Sequence, residues 1–187
     1  MPRPNWFLAF PVEGSFLADL PAPPPRFRLF PREDVHLTLV FLGGCGKEAA
    51  EKAFARLEGL VAERRIGRIP VTLGDVAPLG GSRRDYTALS ALLEGGREEA
   101  SACIAELRDP ITEAAGLRRQ LRPPKPHVTL GRPPRRANPV EREAGLAWAA
   151  QLDLKKVSRT LDRVALYTWT DDRRERLFQI TAELALR

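Results

Sequence analysis

The stretch HLTLVFLGG begins at His36 and HVTLGRPP begins at His127. These are the only two histidines in 187 residues, and each opens the pattern His–apolar–Thr–Leu. On a strand, side chains at i and i+2 share a face. His36 and Thr38 therefore point one way, and Val35, Leu37, Leu39 and Phe41 point the other way, into a core. His127 and Thr129 repeat this, with Val128 and Leu130 opposite. A one-residue slip would bury the imidazole and expose the leucines, so the register of both strands is strongly specified. Two strands of this kind in one chain predict two related lobes, each presenting an imidazole beside a hydroxyl.

The rest of the chain supplies the elements around them. Strands are expected over 5–12, 35–42, 69–79, 86–93, 161–169 and 176–186, with a short one near 27–30 and an extended segment and a strand within 121–133. The apolar residues Ala50, Ala53, Phe54, Leu57, Leu60 and Val61 have helical spacing, which predicts a helix over 47–65. A second helix is expected over 97–116, kinked or offset at Pro110. The segment 138–152 is polar, with a short helical core at best. Close strand pairs favour antiparallel pairing. Helices and strands are mixed, which with antiparallel pairing makes the expected class α+β, and the placement of one motif strand beside each helix hints at two related lobes. Residues 1–187 read as a single domain of two interleaved lobes.

The formal charge is +6, and arginine dominates the 30 basic residues. Guanidinium forks match phosphate better than ammonium does, so a polyanionic partner is one reading and a freely arginine-writing genome is the other. Arg122 and Lys125, near the second motif, and Arg83 and Arg84, in the 80–85 turn, are candidate contacts, although exposed turn charge explains the last two as well. No apolar run approaches the ~20 residues of a membrane span. The run from Trp6 to Val12 is broken by Pro11 and reads as a strand, not as a leader. Cys45 and Cys103 lack metal or disulfide spacing, which fits a reducing compartment. The expectation is a cytoplasmic protein.

Imidazole titrates near pH 6.5 and exchanges protons at working pH. A threonine hydroxyl donates to an oxyanion. Two such couples across a cleft can grip one phosphate, with one histidine deprotonating water and the other protonating the departing oxygen. Two histidines are too few for a zinc site, which wants about three or four protein ligands, so neither metal nor cofactor is expected. GGCGK at 43–47 lacks the Gly-x4-Gly-Lys-Ser/Thr spacing of a phosphate loop, and Cys45 reads as a small turn residue.

With HLTLVFLG and KPHVTLGRP in place, the chain resembles the 2H phosphoesterases, and more narrowly the RNA 2',3'-cyclic phosphodiesterases historically called 2'-5' RNA ligases. The likeness extends over WFLAFPV, IPVTLGDVAPLG and the closing VALYTW and RLFQITAELAL, nearly the whole chain. It implies a bilobal α+β fold of two antiparallel-sheet lobes with helices on the outside, a pseudo-twofold axis and a central cleft. It also implies metal-free opening of a 2',3'-cyclic phosphate at an RNA end, with reverse joining through a 2'-5' bond. It makes His36 and His127 the acid–base pair and Thr38 and Thr129 the phosphate holders. The second-motif histidine would activate water and the first would protonate the leaving 3'-oxygen. Relatives tend to have arginine five residues after the second histidine, which Arg132 matches. A regular strand turns that position to the wrong face unless it ends or bulges at Gly131. Phe41 holds the equivalent place after the first motif, where it stacks a base or fills the core. Many relatives carry serine and tyrosine in the closing strands, where this chain has YTWTDD and Phe178.

The expected partner is RNA with a cyclic-phosphate end, acted on by a monomer. Two other readings stay open. One is a small-molecule member acting on a cyclic nucleotide or an ADP-ribose cyclic phosphate. The other is a non-catalytic RNA-binding protein with structural imidazoles.

Overall fold

Hydrophobic residues fall on one side of the helices and motif strands, and on both sides of the strands Trp6–Pro11 and Arg163–Trp169 at the sheet's interior. In the computed structural model, which describes residues 3–82 and 85–187, those sides are packed against one another. Arg83 and Arg84 lie outside the described residues. The strands are β1 (Trp6–Pro11), β2 (Arg28–Leu29), β3 (His36–Gly43), β4 (Ile69–Leu79), β5 (Ala88–Gly95), β6 (His127–Arg132), β7 (Ser158–Leu161), β8 (Arg163–Trp169) and β9 (Phe178–Ala185). The helices are α1 (Lys47–Arg64), α2 (Arg97–Ala114) and α3 (Pro139–Ala149). Every described pairing is antiparallel, in the order β7-β4-β5-β6-β3-β1-β8-β9, with β2 added alongside β6.

This order is symmetric about its middle. Four strands lie on either side of the junction between β6 and β3, and those two are the motif strands. The lobes thus share one curled sheet, joined by the single pair Leu37–Val128. Behind it, α1 and α2 pack on each other and cover the main core. The α1 positions Ala50, Ala53, Phe54, Leu57 and Leu60 are buried, as their spacing requires. Pro110 lies inside α2, which continues through it. Proline removes the N–H that would bond the carbonyl of Glu106, and that carbonyl accepts instead from Arg64 Nη1 of α1 at 3.1 Å.

Two elements differ from expectation. The segment after residue 138 forms a full 11-residue helix, α3. Asn138 accepts from the Glu141 N–H while the Glu141 carboxylate accepts from the Asn138 N–H, both at 2.9 Å, and Pro139 opens the first turn. This reciprocal cap starts a helix whose polar face had masked it. Trp148 and Ala149 then pack near Phe27, Tyr86 and Leu89. Strand β7, SRTL, was not anticipated; it forms as an edge partner of β4, pairing Ile69–Leu161 through Thr72–Ser158.

Both motif strands carry an extra residue three positions after the histidine. Between Leu8–Val40 and Ala9–Thr38, β3 advances two residues for one on β1, leaving Leu39 over. Between Leu89–Gly131 and Ser90–Thr129, β6 does the same with Leu130. Such bulges shift the alternation of everything beyond them. Leu39 and Val40 both face the core, as do Leu130 and Gly131, and the residue at His+5 comes round to the histidine face. At Gly131 the chains run so close that a Cβ would sit 2.6 Å from Phe27 Cε1 and 2.7 Å from the Arg28 carbonyl oxygen.

Two glycine substitutions should therefore act in opposite directions. Gly131→Ala has to push backbone aside and should lower stability by about 1–3 kcal/mol. Gly59→Ala, in α1 with only flexible side-chain ends near 3.6 Å, should raise it by up to about 1 kcal/mol. Thermal unfolding checks both, at about 2–4 °C per kcal/mol for a chain of this size.

Candidate active site

Because Leu37 pairs with Val128, the antiparallel count sets His36 beside Thr129 and Thr38 beside His127. Leu37 and Val128 are fully buried on the back of the sheet, so all four polar side chains emerge on the front. Neighbouring strands lie about 4.8 Å apart. The two couples, far apart in sequence, are thus side by side. The bulges bring Phe41 and Arg132 to the same face, each five residues beyond its histidine. Phe41 is 51% exposed, so the expectation from simple alternation that it enters the core is corrected: the extra residue at Leu39 reverses its direction.

Each imidazole is held the same way. His36 Nδ1 lies 2.6 Å from the carbonyl oxygen of Asp34, and His127 Nδ1 lies 2.6 Å from that of Lys125. A carbonyl can only accept, so Nδ1 carries the hydrogen in both rings. In the neutral rings Nε2 is then the free basic nitrogen, and in the imidazolium it is a free donor. The carbonyl two residues upstream thus fixes the tautomer and orientation of each ring.

The two sides are not equivalent. His36 is enclosed by aromatic rings: Phe7 at 4.9 Å, Tyr167 and Phe178 at 5.5 Å, and Phe30 at 6.3 Å between centroids. Burial, and then the charges of Arg132 and His127, push its pKa down to about 4 against the opposing pull of the Asp34 carbonyl. His127 is also lowered, chiefly by burial, with the Lys125 charge adding to it. Thr129 is tied to Ser90, fully buried, at 3.2 Å between hydroxyl oxygens. The matching place beside Thr38 is Ala9, which leaves the Thr38 hydroxyl free of that constraint.

A cleft of about 250 Å³ opens on the first-motif side, lined by His36, Thr38, Phe41 and Arg132. His127 and Thr129 are on the adjoining strand and do not line this cleft. Three wall residues went unread in the sequence: Asn5, Phe7 and Arg173; Trp169 and Phe178, noted there only as departures, also line it. Only the curl of β1, β8 and β9 brings them in. Arg132 lies 5.3 Å over the Phe30 ring and Arg173 lies 4.5 Å over Trp169. Arg122 contributes its carbonyl to Arg108, and Lys125 its carbonyl to His127. Among the described residues no three His, Cys, Asp or Glu side chains cluster, and no helix is long and apolar enough to cross a membrane.

Asp34 fastens the closing hairpin to the first motif. Its backbone carbonyl orients His36, and its fully buried carboxylate accepts from the Leu177 N–H at 2.5 Å, with Arg176 Nε 3.6 Å from the other oxygen. Burial raises its pKa, more than the Leu177 and Phe178 N–H groups and Arg176 lower it.

The sequence profile of the 2'-5' RNA ligase superfamily matches residues 22–173, which include both histidine motifs. No curated protein matches by sequence. Among solved structures, Escherichia coli LigT complexed with 3'-AMP superposes with a TM-score of 0.69 at 20% identity, covering 100% of this chain and 99% of that one. The protein TT0787 of Thermus thermophilus gives 0.67 at 20% identity, covering 98% of both chains. Usb1 of Kluyveromyces marxianus gives 0.52 at 12% identity, covering 98% of this chain and 96% of that one. The expected bilobal α+β fold is the fold these proteins share.

Asp34→Ala, which leaves the Leu177 N–H unpaired, should cost about 1–3 kcal/mol. Asp34→Asn keeps an acceptor without the buried charge and should cost less or stabilise. Since the folded pKa lies above the ordinary 3.8, the wild type loses stability relative to Asp34→Asn as pH rises through that interval and recovers it below. Urea unfolding of the three proteins at acid and neutral pH reads both effects.

Proposed function

The chain belongs to the 2'-5' RNA ligase superfamily, a family of phosphoesterases, and we propose that it opens the 2',3'-cyclic phosphate at an RNA end to a 2'-phosphate. The observation that carries this reading is the matched pair of imidazoles. Both are fixed through Nδ1 to a carbonyl two residues back, both emerge on the same face of the sheet, and each has a threonine and an arginine or aromatic beside it.

The chemistry follows from that arrangement. The cyclic phosphodiester, a monoanion, sits between the couples, with Thr38 and Arg132 donating to its free oxygens. Water attacks phosphorus in line with the 3'-oxygen. Nε2 of one histidine removes the water proton, and Nε2–H of the other protonates the 3'-oxygen as its bond to phosphorus breaks. The product carries a 2'-phosphate and a 3'-hydroxyl, and solvent exchange resets the two rings. A 5'-hydroxyl in place of water gives the 2'-5' joining reaction by the same steps. In the family reading His127 is the base and His36 the acid. His36 holds a proton weakly in the empty cleft, so its acid role requires the bound phosphate, whose negative charge favours the imidazolium. Phe41, exposed at the rim, offers its ring to the terminal base. The complex of E. coli LigT with 3'-AMP, a nucleotide phosphorylated at the ribose 3' position, is in keeping with this substrate class.

His36→Ala and His127→Ala should each lower kcat on a cyclic-phosphate-ended oligonucleotide by about 10²–10⁴-fold. Wild-type turnover in either alanine variant would sink the reading, as would complete loss of wild-type turnover in EDTA. The pH profile is a second check. Both histidines are pushed below 6.5, His36 to about 4, so the kcat/KM bell of the free protein should lie on the acid side of 6.5. The limbs report the pair rather than either ring alone. The kcat profile, set with phosphate bound, should move to higher pH.

A further inference from the structure

Arg132 and Arg173 both wall the cleft, and among the described residues neither has an acidic side chain within 4.0 Å. Their charges are uncompensated: Arg132's pKa is lowered by burial and then by the Arg173 charge. Arg132 stands over Phe30, one of the rings around His36, whereas Arg173 stands over Trp169 in the closing strands. A cyclic phosphodiester carries a single negative charge, which one guanidinium balances. The second is left without an anion in the reaction described above.

Arg173 is also built into place. Its guanidinium lies 4.5 Å over the Trp169 ring, and its Nε is buried without a hydrogen-bond partner. Arg28 Nη2 donates to the Arg173 carbonyl at 2.7 Å. Thr170 Oγ1 donates across the turn to the Arg176 carbonyl at 2.6 Å, and Leu177 is tied to Asp34. The nearest acid in the chain, Asp172, is turned back to accept from the Arg174 N–H at 2.9 Å. A buried, unpaired donor on a loop fastened at three points costs stability unless a ligand completes it.

We propose that Arg173, held over Trp169, binds a second phosphate of the substrate, the diester joining the terminal and penultimate nucleotides, so that the cleft selects an RNA end over a mononucleoside cyclic phosphate. This rests on the phosphodiesterase reading. A bidentate guanidinium–phosphate contact suits the planar fork, and Trp169 fixes the fork's plane.

The test compares kcat/KM at constant ionic strength for uridine 2',3'-cyclic phosphate, for UpU ending in a 2',3'-cyclic phosphate, and for that dinucleotide with a neutral methylphosphonate linkage. Wild type should prefer the charged dinucleotide over the other two by about 10–100-fold, the worth of one hydrogen-bonded charge contact. Arg173→Gln should collapse that preference at least tenfold, mainly through KM, and Arg173→Lys should restore part of it. An unchanged melting temperature shows that the variants fold. If Arg173→Gln lowers all three substrates by one factor, the residue serves the reacting phosphate and the proposal falls. It falls too if wild type turns over the methylphosphonate as well as the diester, or prefers a pyrophosphate-linked cyclic phosphate of ADP-ribose to the dinucleotide. Absence of turnover on every substrate would instead remove the phosphodiesterase reading beneath it.

Discussion

The site depends on one residue pair. Leu37 and Val128 meet at the junction of β3 and β6, and both are fully buried on the rear of the sheet. With an apolar face fixed on one side, strand alternation leaves the flanking histidines and threonines no choice but the other. The pairing is antiparallel, so each imidazole lands beside the other strand's hydroxyl. A parallel or slipped junction would have separated the couples or buried them. The apolar contact behind the sheet therefore sets the geometry of the polar groups in front of it.

The bulges extend this constraint by one step. An extra residue at Leu39 and another at Leu130 turn the His+5 positions forward. The pseudo-twofold places them equivalently but fills them differently, with an aromatic ring on one side and a guanidinium on the other. The asymmetry recurs throughout the site. His36 lies within a collar of four rings, whereas His127 is held by the Lys125 carbonyl and feels the Lys125 charge. Thr129 is held by Ser90, whereas Thr38 faces Ala9. A pseudo-twofold frame supplies two matched imidazoles, and unmatched neighbours give each a different environment, which is what the proposed division into acid and base would use.

Much of this was legible in the residues. The His–x–Thr spacing, the α1 stripe from Ala50 to Val61 and the strand alternation around both motifs each carry a local periodicity, which burial on one side enforces. What escaped was non-local or locally masked. Strand β7 reads SRTL and has no apolar run of its own; it exists because β4 offers an unpaired edge. Helix α3 is polar enough to hide its period, although the Asn138–Glu141 cap was there to be read. Phe41 was misdirected because bulges leave no periodic trace.

By itself the sequence determined which residues are able to do proton chemistry at neutral pH and which face of the strand the histidines and threonines take, since both follow from side-chain type and a period of two along the chain. It also determined the family through its paired motifs. Only the tertiary structure decided that the couples are neighbours across one strand spacing, that Leu39 and Leu130 are the odd residues out, and that Arg173 and Trp169 complete the cleft wall. Those facts depend on inter-strand register and sheet curl, which arise from contacts between segments distant in the chain and leave no mark on either segment alone.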